Sequence, residues 1–308
     1  MSRPLDRAQL LRLAGAGAAA LALPGAADAA GKSFILPHPR WRFVFVNHAT
    51  TNPFFVPARF GSADACSLYG VAVSWVGSKR SDTGEMVKAF RRAIHGGADG
   101  IAVSIIDPRA FDELTAEALG RGIPVVSYNA DGSTQNQRLA YVGQDLYQSG
   151  LKVGARIVEL VADGDVYLFI ATPGQANIQP RVDGVKDAIR DSGAPIRVHV
   201  VATGADVKAE QRKIEATYKA HRGLRGMFAV DGGSTQGIAE VMRKHKLRTS
   251  GVRAGGYDLL PSTLASIAGG HLDFTVDQQP YLQGFVPIQQ LFLHRYSGSL
   301  VSPAETNT

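Results

Sequence analysis

The sequence predicts an α/β fold of two doubly wound parallel-sheet lobes joined by a hinge. Three observations predict it. Short apolar runs alternate with amphipathic stretches from Trp41 onward, the pattern of parallel strands with helices on both faces. There are more such runs than one lobe ordinarily holds. The 308 residues also exceed what a single small core needs.

The strand-like runs fall at 42–46, 71–76, 101–104, 124–128, 165–171, 196–202, 227–230, 252–257 and 273–277. Helical spacing fills the gaps. Met86, Phe90 and Ile94 share one face, as do Phe111, Leu114 and Ala118, and Ile238, Val241 and Met242. Asn52-Pro53 and Asp107-Pro108 each pair a cap residue with proline at a first helical position, and Asp82 with Glu85 reads as a capping box. Gly96-Gly97 and Gly120/Gly122 stop the helices before them. A short run at 139–142, followed by a helix from about Leu146, places the lobe boundary near Tyr141–Asp145.

Composition narrows the function. The chain is 45% hydrophobic and 19% charged, which suits a globular protein. A net charge of +6 is modest, and Arg3, Arg7 and Arg12 supply part of it from the N-terminus. No basic run interleaves with aromatics, so no nucleic-acid partner is expected. Cys66 is the single cysteine and reads as a small core residue; a disulfide or thiolate metal cluster cannot form within the chain. The eight histidines lack metal-ligand spacing, and no serine-nucleophile elbow is present. No cofactor, metal or catalytic residue is expected.

The first 29 residues read as a secretory signal peptide. Arg3, Arg7 and Arg12 precede an apolar run from Leu13 to Leu23, and Ala27-Asp28-Ala29 supplies small residues for cleavage. The run is too short to anchor the chain permanently, which predicts a periplasmic or otherwise extracytoplasmic location. Ala26 to Ser33 matches a permissive phosphate-loop pattern, but Pro37 and Pro39 exclude the helix such a loop needs.

In doubly wound sheets ligands bind beyond the carboxyl ends of the strands. Those positions hold Asn47, His48, Asn52, Phe54, Phe55, Asn129, Asp231, Asp258, Gln278 and Gln279. Carboxylates and amides take pairs of hydroxyls, and aromatic faces cover the C–H side of a sugar or polyol. Taken singly, each Asp or Asn also reads as a helix cap.

Thr51-Asn52-Pro53-Phe54-Phe55, Gly97-Ala98-Asp99-Gly100-Ile101, Gly122-Ile123-Pro124-Val125-Val126, Gln179-Pro180-Arg181-Val182-Asp183-Gly184 and Gly255-Gly256-Tyr257-Asp258 occur in that order. This series resembles the ribose-binding-protein group of type I periplasmic sugar-binding proteins of ABC importers, from about residue 41 to 297. The resemblance implies a discontinuous N-terminal lobe (34–143 plus 279–297), a C-terminal lobe (144–278) and a third crossing (298–308) that stops short of the family's final strand. It implies a monomer that closes on a small neutral sugar or polyol and delivers it to an inner-membrane ABC permease. Carried over by position, Asn52, Phe54 and Phe55 match the sugar-sandwiching element, and Arg181 matches the sugar-binding arginine. Asp231, Asp258 and Gln278 match polar site positions; His48 occupies a lining position without matching in type. The family's Asp-Arg pair is replaced by Asn129-Ala130, which argues against ribose and for a linear polyol or another pentose.

Two rivals share these features. A chemosensory or lactose-repressor-like effector domain uses the same fold, although the repressor would need an N-terminal helix-turn-helix. A secreted sugar-modifying enzyme would need a paired acid and base, for which Asp231 and Asp258 are the candidates.

Overall fold

The computed structural model describes residues 37–298 and 304–307. The chain divides into Met1–Pro39 and Arg40–Thr308, and the fold described here is that of the second unit. The export segment expected at 1–29 lies outside the described residues.

Among the described residues, eleven strands form two sheets, and every pairing between them is parallel. The first sheet holds β1 (Arg42–Asn47), β2 (Ala72–Gly77), β3 (Gly100–Val103), β4 (Val125–Tyr128), β5 (Tyr141–Gln144) and β11 (Ala304–Asn307), in the order β11-β5-β4-β3-β1-β2. The second holds β6 (Gly164–Ile170), β7 (Ile196–Ala202), β8 (Gly226–Ala229), β9 (Arg253–Tyr257) and β10 (Phe274–Val276), in the order β10-β9-β8-β6-β7. Strand order reverses between β1 and β3 in one sheet and between β6 and β8 in the other. At each reversal the connections leave toward opposite faces, so a crevice opens at the carboxyl ends of the strands.

Helices cover both sheets. In the first lobe they are α1 (Val56–Tyr69), entered through a 3₁₀ turn at Pro53–Phe55, then α2 (Thr83–His95) and α3 (Asp112–Gly120). The second lobe has α4 (Leu146–Leu160), α5 (Gln179–Ser192), α6 (Val207–Ala220), α7 (Gly232–Lys244) and α8 (Pro261–Ala268). The chain then returns to the first lobe as α9 (Pro280–Ser297), which packs against α1 and β4. It therefore crosses between lobes after β5 and again after β10. Within 298–308, the segment expected as a third crossing, β11 lies beside β5.

The anticipated apolar faces are the buried ones. Met86, Phe90, Ile94, Phe111, Leu114 and Ala118 join one first-lobe core with the inner residues of β3 and β4. Ile238, Val241 and Met242 sit in the second-lobe core with Phe169 and Met227. Gly96-Gly97 bound their helix as the sequence suggests, with Gly97 at φ 71°.

Three local expectations are corrected. Asp107-Pro108 does not start a helix: Asp107 accepts from the Arg109 and Ala110 amides in a turn, and α3 begins at Asp112. The capping box is half made. Asp82 accepts from the Glu85 amide at 2.8 Å, but the Glu85 carboxylate instead takes the Ser78 hydroxyl and Arg80. Cys66 is half-buried on α1 rather than enclosed in the core.

Candidate functional site

The two crevices face each other across a cavity of about 760 Å³. Nine of the eleven residues singled out in the sequence line it: His48, Asn52, Phe54, Phe55, Asn129, Arg181, Asp231, Asp258 and Gln278. Asn47 instead donates to the buried Tyr128 hydroxyl inside the first lobe, and Gln279 lines a separate pocket. Phe54 and Phe55 enter from the first lobe on the turn that Asn52 caps, its side-chain oxygen 2.9 Å from the Phe54 amide. Their rings stand edge to face at 4.8 Å, and Phe55 is similarly braced by His48 at 5.3 Å. His48 Nδ1 lies 2.8 Å from the Ser104 hydroxyl, which joins the ends of β1 and β3 at the strand-order reversal. Burial lowers the His48 pKa to about 4, so the ring is neutral near pH 7.

Arg181 organises the hinge side. Its side chain is 1% exposed and lies over the Tyr257 ring, with the guanidinium carbon 4.2 Å from the ring centroid. It donates to the Val230 carbonyl at 2.9 Å, to Gln144 Oε1 at 3.1 Å and to Gln278 Oε1 at 2.5 Å. Gln144 ends β5 and Gln278 follows β10, so one guanidinium holds both strands at which the chain changes lobes. Gln278 in turn donates to Asp258 at 2.5 Å. Burial raises the Asp258 carboxyl to about 6, against the opposing pull of Arg181 and the Gln278 bond.

Asp231 ends β8 and caps α7. It accepts from the Ser234 amide at 2.8 Å and from the Ala171 amide, at the end of β6, at 2.9 Å. Both the cap reading and the cleft-lining reading of this residue are therefore realised at once. Asn129 adopts φ 63° and donates to Gln283 at 3.1 Å. Ser81, Asp258 and Gln279 also have positive φ, at 66°, 76° and 52°. Such non-glycine strain is retained where surrounding contacts over-determine it; four of the five such described residues lie at the cleft or hinge, the fifth being Lys246 before the turn at Leu247–Ser250.

The lobes already touch across the cleft. The Ser81 hydroxyl donates to Gln175 Oε1 at 2.8 Å, and Gln175 Nε2 returns a bond to the Ser81 carbonyl at 3.0 Å. Asn177 Nδ2 lies 3.3 Å from His48 Nε2, and the Ala176 amide donates to the Ile106 carbonyl at 2.9 Å. These partners escaped the sequence reading, as did Gln144 and Glu210. Gln144 follows the strand-end rule and was findable by it. Gln175, Asn177 and Glu210 sit in a loop or a helix, where no periodicity points to a cleft.

A type I solute-binding fold with a polar cleft between its lobes defines the class. The profile of the periplasmic binding protein domain matches residues 43–295, and the chain belongs to that family. A xylose/arabinose-binding protein of Sulfolobus acidocaldarius is 50% identical over 285 residues, 88% of this chain and 70% of that protein. Among solved structures, a solute-binding protein of an ABC transporter from Burkholderia graminis, in complex with D-arabinose, superposes with TM-score 0.81 at 23% identity, over 89% of this chain and 95% of that one. A periplasmic sugar-binding protein from Legionella pneumophila gives TM-score 0.78 at 22% identity, over 87% and 99%. The family and these relatives are binding components of transport rather than enzymes, and membership implies a place outside the cytoplasm.

Proposed function

We propose that this protein captures a neutral pentose by closing its two lobes on it, and presents the closed form to an ABC permease. The observation that carries the reading is a set of unsatisfied polar atoms around one cavity. Arg181 Nε, Asn177 Oδ1 and Glu210 Oε2 are buried without hydrogen-bond partners, and all three residues line the cleft. Such atoms cost free energy unless something pairs with them, and a polyhydroxylated guest supplies donors and acceptors together. Four basic and four carboxyl side chains line the cavity, so no excess of one sign selects a charged ligand.

In this reading Phe54 and Phe55 cover the apolar face of the sugar. Asn52, His48, Asn129, Arg181, Asp231, Asp258 and Gln278 take its hydroxyls. Within the second unit, the lobes 40–143 with 279–297 and 144–278 move as rigid bodies about the two crossings, and the protein works as an exported monomer that does no chemistry on its guest. The relative that is half identical binds xylose and arabinose by name, which favours those pentoses over the linear polyols that the Asn129-Ala130 replacement also allows.

A melting screen over D-xylose, L-arabinose, ribose and pentitols tests this. A sugar present at a hundred times its Kd adds about 2.7 kcal/mol to stability, a rise of several degrees. D-xylose or L-arabinose is expected to give that rise and ribose is not. Stabilisation by pentitols alone would move the assignment to polyols, and turnover of any sugar during the incubation would favour an enzyme.

A further inference from the structure

Glu210 lies outside every motif noted in the sequence, in the first turn of α6. It is 3% exposed, lines the cleft, and leaves Oε2 without a hydrogen-bond partner. Its carboxyl stands against the start of α7: a Cβ built on Gly233 would meet Oε2 at 2.1 Å. Glycine at that position is what admits the carboxyl to the cavity wall.

Asp231 is its acidic neighbour. Burial pushes the Asp231 carboxyl up as well, but two backbone N–H donors and Arg181 pull against that shift. Glu210 has no donor and faces Asp231 and Asp206, while Lys79, Arg80, Lys208, Arg181 and Asp258 line the cavity farther round. Two carboxyls so placed do not both ionise near neutrality. Burial, with Asp231 and Asp206 beside it, holds the Glu210 carboxyl up to about 9, so Glu210 keeps its proton near neutrality. It therefore presents an O–H donor and a carbonyl oxygen to the cavity.

We propose that Glu210 is a further ligand contact, reaching a hydroxyl or ring oxygen of the bound sugar from the wall of the second lobe. The inference rests on the pentose reading above. A donor and an acceptor on one planar group match the alternating oxygens of a neutral sugar, whereas an amino sugar would call for an ionised carboxylate.

The test is calorimetric titration of the wild-type protein and Glu210→Ala with D-xylose and with L-arabinose at pH 7, alongside melting of the ligand-free proteins. Glu210→Ala is expected to bind the wild-type sugar tenfold or more weakly. Its ligand-free melting temperature should be unchanged or higher, because an unsatisfied buried group has been removed. A variant that binds as tightly as wild type overturns the inference while leaving the pentose reading intact. A wild type that binds neither sugar overturns both. Should Glu210→Ala fail to fold, Glu210→Gln decides: affinity that falls above pH 9 in wild type but not in the amide variant supports the contact, and identical pH profiles overturn it.

Discussion

Arg181 does three things with one planar group. It fills a fully buried position against Tyr257, lies close to the Asp258 and Asp231 carboxyls, and ties Gln144 to Gln278. A lysine keeps the charge but cannot form the fork. Replacing Arg181 by alanine is expected to weaken sugar binding by about 1.5–3 kcal/mol, the range for hydrogen bonds to a charged group. Titration calorimetry reads that loss, and an unaltered Kd would remove Arg181 from ligand recognition. The arginine was legible in the sequence because its motif is local. Its bonding was not: Gln278 was singled out as a site position, but Val230, Gln144 and Gln278 are 49, 37 and 97 residues from Arg181. Distances of that kind are created by sheet topology, and no local pattern encodes them. Asp107 shows the opposite failure, a correct local signal for a turn that was extended into a helix the backbone does not form there.

At the scale of elements, the strands and helices follow from periodicity because each sheet is covered on both faces, leaving near-continuous apolar runs such as Ile101–Val103 and Val125–Val126. Helix pairs add a finer requirement. α4 and α5 approach so closely that a Cβ on Gly154 would stand 2.8 Å from the Val185 carbonyl oxygen, and one on Gly184 would stand 2.4 Å from the Tyr147 carbonyl oxygen. The glycine closing the Arg181 motif is thus a packing residue, and it fixes the helix that carries the arginine. Gly154→Ala is expected to destabilise the protein by about 1–3 kcal/mol through overpacking, measured by urea unfolding. A stability equal to wild type would mean that the two helices separate at no cost. The periodic pattern marked both helices, but only their packing explains why glycine stands at these sites.

For the whole molecule, ligand affinity depends on how strongly the two lobes favour the closed form without help. The paired bonds between Ser81 and Gln175 contribute to that preference. Gln175→Ala deletes both, along with the bond Gln175 accepts from the Thr172 hydroxyl inside the second lobe, and leaves Phe54, Arg181 and Asp258 in place. It should weaken D-xylose or L-arabinose binding by about 1–3 kcal/mol, each bond counting for roughly one. Small-angle scattering of the ligand-free variant should show a larger radius of gyration than wild type. Equal affinity and equal dimensions would show that these contacts do not set the closing equilibrium.

The return of α9 to the first lobe has a consequence for biosynthesis. Ile288, Leu291 and Phe292 are buried in that lobe, yet they are made only after the whole stretch from α4 to β10. A growing chain thus completes its second lobe as one uninterrupted piece while the first waits, its apolar flank uncovered, for a helix still inside the ribosome. The lobe that begins first finishes last, so chaperones meeting the nascent protein should engage the earlier half.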